Sequence, residues 1–302
     1  MESKQEWLKK RKNYIGGSDI AAIVGLNKYK TAVDVFLDKT SDTVEETTNE
    51  AAKWGTLLED LLVKEYASRI GVEVEKPIHT IFHSAYEFLG ANIDAFVNRG
   101  EYVLECKTAG YRMADQWGEE GTDQIPDNYL CQVAWYSAIT RVPKVDIAVL
   151  IGGQDFRVYT YTKNKEFEDK LIAIGINFWI NNVQKNIPPI ATNTHDVFSL
   201  YPRGNGKELK ATEEIIDKLN RFKMMNEEKS ALEKTLEVLK KNIQEYMQDY
   251  DILVDENGNV LSTWKNTSPR AGIDLKRFKD ECKDLYLQYA NYSKSSRVFL
   301  VK

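Results

Sequence analysis

Two short runs, residues 93–97 and 102–106, alternate apolar and polar positions and flank Asn98-Arg99-Gly100-Glu101. A period of two predicts strands, and the turn residues between them predict a hairpin. With Arg99 and Gly100 as the loop, Asp94 stands directly opposite Glu105. The same register gives one apolar face, Ile93, Ala95, Val97, Tyr102, Leu104 and Cys106, suited to a core. The other face carries Asp94, Phe96, Val103, Glu105 and Lys107. A second hairpin is predicted over residues 145–151 and 156–161 around Gly152-Gly153-Gln154-Asp155, extending the same sheet.

Helical spacing predicts the elements around these strands. Ser18 reads as the N-cap of a short helix, with Asp19 in its first turn, an apolar run over residues 20–24 and Gly25 at the exit. Free amides there, preceded by Gly16 and Gly17, suit either plain capping or a phosphate, onto which Arg11 could fork. Residues 51–70 place Trp54, Leu58, Leu61, Leu62 and Tyr66 on one stripe that Glu59 borders. A carboxylate at such a border needs a partner, either a nearby lysine or a metal-bound water. Pro126 opens a further helix on which Gln132 and Tyr136 stand four apart, and residues 166–183 close the first domain.

Pro188, Pro189, Pro202, Gly204 and Gly206 mark a linker near residues 186–206, dividing a domain of residues 1–200 from an extension of residues 201–302. The extension opens with a long amphipathic helix over residues 209–250, with Leu232, Leu236, Leu239, Ile243 and Met247 along one side. That helix is either a coiled-coil arm for a partner or a helix folded back on its own domain. A hairpin around Asp255-Glu256-Asn257-Gly258-Asn259, a helical segment over 274–289 and a strand over 297–301 follow. Residues 42–50 read as an exposed acidic loop.

Composition narrows the class without naming an activity. A chain of 302 residues, 42% hydrophobic and 29% charged, can bury a large core. No apolar run approaches membrane-spanning length and no signal peptide is recognised, so the cytoplasm is the expected compartment. Cys106, Cys131 and Cys282 are odd in number and scattered, and His79, His83 and His195 form no zinc motif. A net charge of −5 argues against a protein that coats DNA through a basic surface. It leaves room for an enzyme with a local positive lining, such as Lys9, Lys10, Arg11, Lys12, Lys28 and Lys30 near the proposed phosphate pocket.

The candidate chemistry lies in the first hairpin. Two carboxylates facing each other across a strand pair repel unless a positive charge lies between them, and Mg²⁺ suits such a pair because it accepts one or two carboxylates with water and phosphate oxygens. Lys107, two residues beyond Glu105, points the same way and would orient or deprotonate an attacking water. The hairpin alone favours a solvated surface ion cluster, and the neighbouring segments reverse that reading.

Asp94 followed by Glu105-Cys106-Lys107 resembles the PD-(D/E)-x-K nuclease pattern, with Ile93 in place of the proline. Trp7 with Arg11, Ile15-Gly16-Gly17-Ser18-Asp19-Ile20, Lys53-Trp54-Gly55-Thr56-Leu57-Leu58-Glu59 and Gln132-Val133-Ala134-Trp135-Tyr136 occur in the order seen in the lambda exonuclease and YqaJ-type phage recombinase family. The resemblance spans roughly residues 7–160. It implies an α/β restriction-endonuclease-like core, a mixed central sheet flanked by helices, followed by a helical and α+β extension. It further implies a 5′ to 3′ exonuclease on double-stranded DNA ends that exposes 3′ tails for a single-strand annealing protein, phage- or prophage-encoded. Mg²⁺, with Mn²⁺ as a substitute, would be held by Asp94, Glu105 and the Cys106 carbonyl. Glu59 and Gln132 would support Lys107, and Arg11 with Ser18 would receive the 5′ phosphate. The family's further carboxylate has no acidic counterpart over residues 79–84. A trimeric ring is implied by the resemblance alone. The competing expectations are a structure-specific or single-strand nuclease on the same core, and a noncatalytic scaffold acting through the long helix.

Overall fold

The computed structural model describes residues 4–42, 50–291 and 297–302. The chain divides into two compact units, Met1–Pro202 and Arg203–Lys302. Helices α1 (Lys4–Arg11), α2 (Gly17–Ile23), α3 (Ala32–Thr40) and α4 (Glu50–Ile70) precede the strands β1 (Val74–Glu75), β2 (Ile81–His83), β3 (Tyr86–Ala91), β4 (Ala95–Val97) and β5 (Tyr102–Ala109). Helix α5 (Asp127–Thr140), the hairpin β6 (Lys144–Ile151) and β7 (Asp155–Thr162), and helices α6 (Lys165–Phe178) and α7 (Thr194–Leu200) complete the first unit.

A mixed five-stranded sheet of order β1-β4-β5-β6-β7 forms the centre, and β2 with β3 makes a separate hairpin. Strands β5 and β6 run parallel, which requires a crossover, and α5 supplies it. Strands β6 and β7 pair antiparallel, so the second predicted hairpin does extend the sheet. The first predicted hairpin adopts the expected register, with Ala95 opposite Leu104, Phe96 opposite Val103 and Val97 opposite Tyr102. Its turn takes a positive φ at Asn98, Arg99 and Gly100.

One expectation changes at this point. Both faces of β5 are covered, so Val103 is as fully buried as Leu104. As an interior strand of an α/β sheet, β5 packs α4 on the side of Tyr102, where the Tyr66 hydroxyl lies 3.2 Å from the Tyr102 hydroxyl and 2.6 Å from Asp146. On the opposite side lies α5. The face of Glu105 and Lys107 is therefore a buried interface and not a solvated one.

The stripe of α4 is used only in part. Leu62, Val63 and Tyr66 are buried, whereas Trp54 and Leu61 are exposed and Leu58 is half-buried. Within the stretch expected as a linker, Asn193 caps α7 by accepting from the Asp196 amide. Asp196 in turn takes the Thr31 hydroxyl at 2.8 Å, fastening α7 to α3. The prolines therefore flank a packed helix and not a continuous linker.

In the second unit, α8 (Glu213–Met247) is capped by Thr212 and followed by the hairpin β8 (Ile252–Val254) and β9 (Val260–Thr263). Leu232, Leu236, Leu239 and Ile243 are exposed, and Met247 is buried beside Ser262. The predicted helix over 274–289 breaks at Cys282 into α9 (Leu275–Glu281) and α10 (Lys283–Tyr289). Residues 297–302 form no strand, because no neighbouring chain segment pairs with them among the described residues. Of the acidic loop expected over 42–50, residues 43–49 lie outside the described residues and Glu50 opens α4.

Candidate active site

The site is built where α5, with α2 packed against it, lies over the face of β5. Gly17 makes that approach possible, since a Cβ there would fall 2.5 Å from the Tyr136 ring and 3.0 Å from Gln132. The glycine pair was expected to admit a ligand to the backbone. At Gly17 it admits a neighbouring helix instead.

Asp94 lies one step before β4, and its Oδ2 accepts from the Cys106 amide at 2.6 Å, which aims the carboxyl along β5 toward Glu105. Glu105 is buried; its Oε1 accepts from Lys107 Nζ at 2.5 Å and from Gln132 Nε2 at 2.7 Å. The Gln132 side chain bridges further, its Oε1 accepting from Lys107 at 3.0 Å and its Nε2 reaching the Tyr136 hydroxyl at 2.8 Å. Lys107 Nζ also sits 4.8 Å from the centre of the Tyr129 ring. The other oxygen, Glu105 Oε2, is buried without a hydrogen-bond partner among the described residues. An anion oxygen left so in a dry interior costs several kcal/mol, on the order of 1–3 or more.

The electrostatics of the two carboxyls follow from the same burial. Burial, then the negative charge of Glu105, pushes the Asp94 carboxyl up to about 8. Burial likewise raises Glu105, despite the opposing pull of Lys107. Lys107 is also raised: burial favours its neutral form, but the Glu105 charge and hydrogen bond outweigh burial. In this arrangement the charge of Glu105 favours the protonated, donating form of Lys107. Glu59, on α4, adds its charge to both carboxyls and raises them further, while its own Oε1 takes Lys76 Nζ at 3.0 Å. Among the described residues no group of three or more His, Cys, Asp or Glu side chains converges as a metal-ligand set.

The residues expected to receive a phosphate, Arg11 and Ser18, meet in a second cluster. Arg11 Nη2 donates to Ser18 Oγ at 2.6 Å, with its guanidinium over the Trp7 ring at 5.1 Å. Ser18 is not the cap of α2. Gly16 holds that position, and its amide donates to Asp19 Oδ2 at 3.1 Å, a local bond that displaces Ser18 into the first turn. Asp19 is wholly buried and pairs with Lys39 at 2.8 Å and Lys30 at 2.9 Å. Burial alone would raise its carboxyl; the charges of Lys39, Lys30 and Arg11 hold it far below the ordinary carboxylate range. Lys39 also donates to the Arg11 carbonyl at 2.8 Å, fixing the backbone that carries the guanidinium.

Sequence reading passed over Asp19 as an ordinary first-turn acid, and it missed Lys39, Lys76 and Tyr129. The available signal was an acid three residues beyond Gly16 with lysines within one or two helices. A lysine buried on an apolar helix such as α3 needs a buried acid somewhere.

The mixed five-stranded sheet flanked by helices is the architecture expected of a restriction-endonuclease-like core, and comparison with known proteins agrees with that fold. The chain is similar to an alkaline exonuclease from Laribacter hongkongensis, with a TM-score of 0.50 at 15% identity, the match covering 61% of this chain and 94% of that one. It is also similar to a phage-related exonuclease from Haemophilus somnus 129PT, with a TM-score of 0.44 at 13% identity over 57% of this chain and 96% of the other. The first likeness is one of fold. No helix among the described residues is long and apolar enough to cross a membrane. In sequence, the chain is 31% identical to the uncharacterized protein YqaJ of Bacillus subtilis (strain 168) over 294 residues, 94% of this chain and 90% of that one. Residues 6–143 match the YqaJ-like viral recombinase domain, and with a relative of this identity along nearly the whole chain, the protein belongs to the YqaJ-like viral recombinase family.

Proposed function

We propose that the protein is a metal-dependent exonuclease that degrades double-stranded DNA ends 5′ to 3′ and leaves 3′ single-stranded tails for recombination by strand annealing. The observation that carries the reading is the unpartnered buried Glu105 Oε2 beside an Asp94 carboxyl raised to about 8. Two acids in that state lack a cation. A hard divalent ion accepts their oxygens with little protein help, so the donor set fits Mg²⁺, with Mn²⁺ as a substitute.

Asp94, Glu105 and the Cys106 carbonyl would hold the ion, which when bound supplies Lewis acidity at the scissile phosphate and makes water a better nucleophile near neutral pH. Lys107, held protonated by Glu105 and positioned by Gln132, donates to the phosphate or to the water that attacks it. Gln132 keeps Lys107 and Glu105 in register and is itself fixed by Tyr136. Glu59 borders the site as a further acid whose present partner is Lys76. Arg11 and Ser18 receive the terminal 5′ phosphate, with Lys39 and Asp19 bracing Arg11 from behind. Family membership supports a nuclease in recombination and, by extension, a single-strand annealing partner and a ring-shaped homo-oligomer acting in the cytoplasm.

The test is a time course on end-labelled linear duplex, with or without a 5′ phosphate and with Mg²⁺ or a chelator, beside a covalently closed circle. The proposal requires Mg²⁺-dependent release from 5′ ends, preference for the phosphorylated end and an intact circle. Loss of the circle at the same rate would make the protein an endonuclease. Unchanged degradation by Glu105→Ala and Lys107→Ala would remove the proposed centre altogether.

A further inference from the structure

The second unit carries a charge pattern that the nuclease reading leaves unused. The chain has 41 lysines and arginines against 46 aspartates and glutamates, yet residues 264–302 hold nine of the former and only four of the latter. This last stretch is therefore +5 in a chain that is −5 overall. Segregation of charge on that scale marks a surface for an anionic partner, nucleic acid foremost.

Helices α9 and α10 gather that charge into a stripe. The Cys282 amide donates to the Phe278 carbonyl at 3.0 Å and the Tyr286 amide to the Cys282 carbonyl at 2.9 Å, so helical bonding runs through the break between them. Side chains three and four residues apart then share a side, which aligns Lys276, Lys279, Lys283 and Tyr286. Lys279 Nζ lies 4.9 Å from the centre of the Tyr286 ring, as that alignment requires. The acids lie elsewhere: Asp274 caps α9 by accepting from the Lys276 and Arg277 amides, and Glu281 pairs with Arg277 at 2.8 Å. Asp280 and Asp284 each follow a lysine by one residue and so face the adjoining side. Lys276, Lys279 and Lys283 are exposed and enter no ion pair among the described residues. Like charges at this spacing repel unless an anion covers them. The three lysines span about 10 Å of helix, roughly two to three phosphates along one DNA strand. Tyr289, three residues beyond Tyr286, is 72% exposed. Stacking rings beside backbone-tracking cations are how single-stranded nucleic acid is held without sequence preference.

We infer that α9 and α10 form a second DNA contact, outside the nuclease site, which holds single-stranded DNA with its phosphates on Lys276, Lys279 and Lys283 and a base stacked on Tyr289. A single strand fits better than a duplex, because an exposed ring can stack only on a base that has left the duplex stack. The strand held is the 3′ tail that the proposed reaction leaves, so the inference rests on the reading of the chain as a DNA exonuclease. It gives the second unit a task of its own, retaining the tail once the complementary strand is gone.

The full chain is titrated in chelator with a fluorescent oligothymidine, and anisotropy is followed at several salt concentrations. Wild type is compared with the triple variant Lys276→Gln, Lys279→Gln, Lys283→Gln, and with Tyr289→Ala. A control triple, Lys165→Gln, Lys170→Gln, Lys218→Gln, makes the same change of net charge at exposed lysines on α6 and α8. Circular dichroism verifies each fold. The α9–α10 triple variant is expected to bind about 10- to 100-fold more weakly, and its slope of log affinity against log salt should fall by about 2, the value for three phosphates on a single strand. Tyr289→Ala should weaken binding about 5-fold or more, and the control should bind like wild type. Equal losses in both triples reduce the effect to net charge and overturn the inference, as does an α9–α10 variant that binds like wild type. An unchanged Tyr289→Ala overturns the single-strand assignment. Wild type that binds vesicles of anionic phospholipid but not the oligonucleotide makes the stripe a membrane face and overturns it as well. Mg²⁺-dependent degradation of linear duplex separates the two readings. With degradation intact, a failed binding test defeats this inference alone, whereas strand binding through the stripe without degradation defeats the exonuclease reading and leaves a single-strand binding surface.

Discussion

Asp94 and Asp19 are both acids sunk in the same unit, and their surroundings drive them in opposite directions. Asp19 lies among Lys39, Lys30 and Arg11, and its carboxyl is pulled far down. Asp94 faces Glu105, with Glu59 nearby and one lysine shared among them, and its carboxyl is pushed up to about 8. On the proposed function, each cluster carries the charge that its ligand would neutralise. The cation-rich cluster has a guanidinium left to offer an anion, and the acid-rich cluster has a buried oxygen left to offer a cation. A terminal phosphate and a divalent ion are the two charged components of an exonuclease reaction at a DNA end.

The contrast can be broken most sharply by activity. Glu105→Ala and Lys107→Ala are each expected to lower kcat by about 10²–10⁴-fold in a Mg²⁺ assay, while circular dichroism shows an unchanged fold. Asp19→Asn should act on stability instead. It leaves the buried Lys39 with only the more distant, half-exposed Asp38 at 3.6 Å as a counter-charge, which costs about 3–5 kcal/mol in denaturant unfolding. A drop in stability as large for Asp94→Asn would erase the distinction. Arg11→Ala should remove most of the preference for a 5′-phosphorylated end, about tenfold in kcat/KM, with little effect on unphosphorylated ends.

The smallest effect is the most specific. A carboxyl raised in the folded state keeps its proton longer than in the unfolded chain, so the metal-free protein loses stability as pH climbs from the ordinary carboxylate range to about 8. A depressed carboxyl works the other way: the stability from Asp19 is present above the ordinary carboxylate range and is lost as pH falls below it. Asp94→Asn should therefore raise the Tm of chelator-treated protein at pH 8 by a few degrees, roughly 1–2 kcal/mol, and have less effect at pH 5. Calorimetry at the two pH values checks this. Equal shifts at both would deny that Asp94 is strained by its like-charged neighbour.

Much of the first unit was legible because its signals are local. A period of two and an Arg-Gly turn fix the β4–β5 register, and through it the meeting of Asp94 with Glu105. The same kind of signal places β6 and β7. Burial on both sides of β5 was hidden, since alternation looks identical whether the polar face meets water or another helix. Ser18 was misplaced as a cap because Gly16 and Asp19 together satisfy the same amide, a reciprocal arrangement that composition does not reveal. The Lys39–Asp19 pair depends on α3 folding back on α2, and Tyr129 depends on where α5 begins. Such tertiary coincidences leave no period in the chain. The α7 helix was overlooked for the opposite reason: prolines and glycines around it drowned out a short capped pattern.

The central claim is that Asp94 and Glu105 together hold a divalent cation. Mn²⁺ binding measured by titration calorimetry at pH 8, in buffers of different ionisation enthalpy, tests it most directly. The account predicts a saturable site that releases a proton on binding, because the raised carboxyls must ionise, and that is lost in both Asp94→Asn and Glu105→Gln. Binding of equal affinity in wild type and both variants, with no proton released, would contradict it.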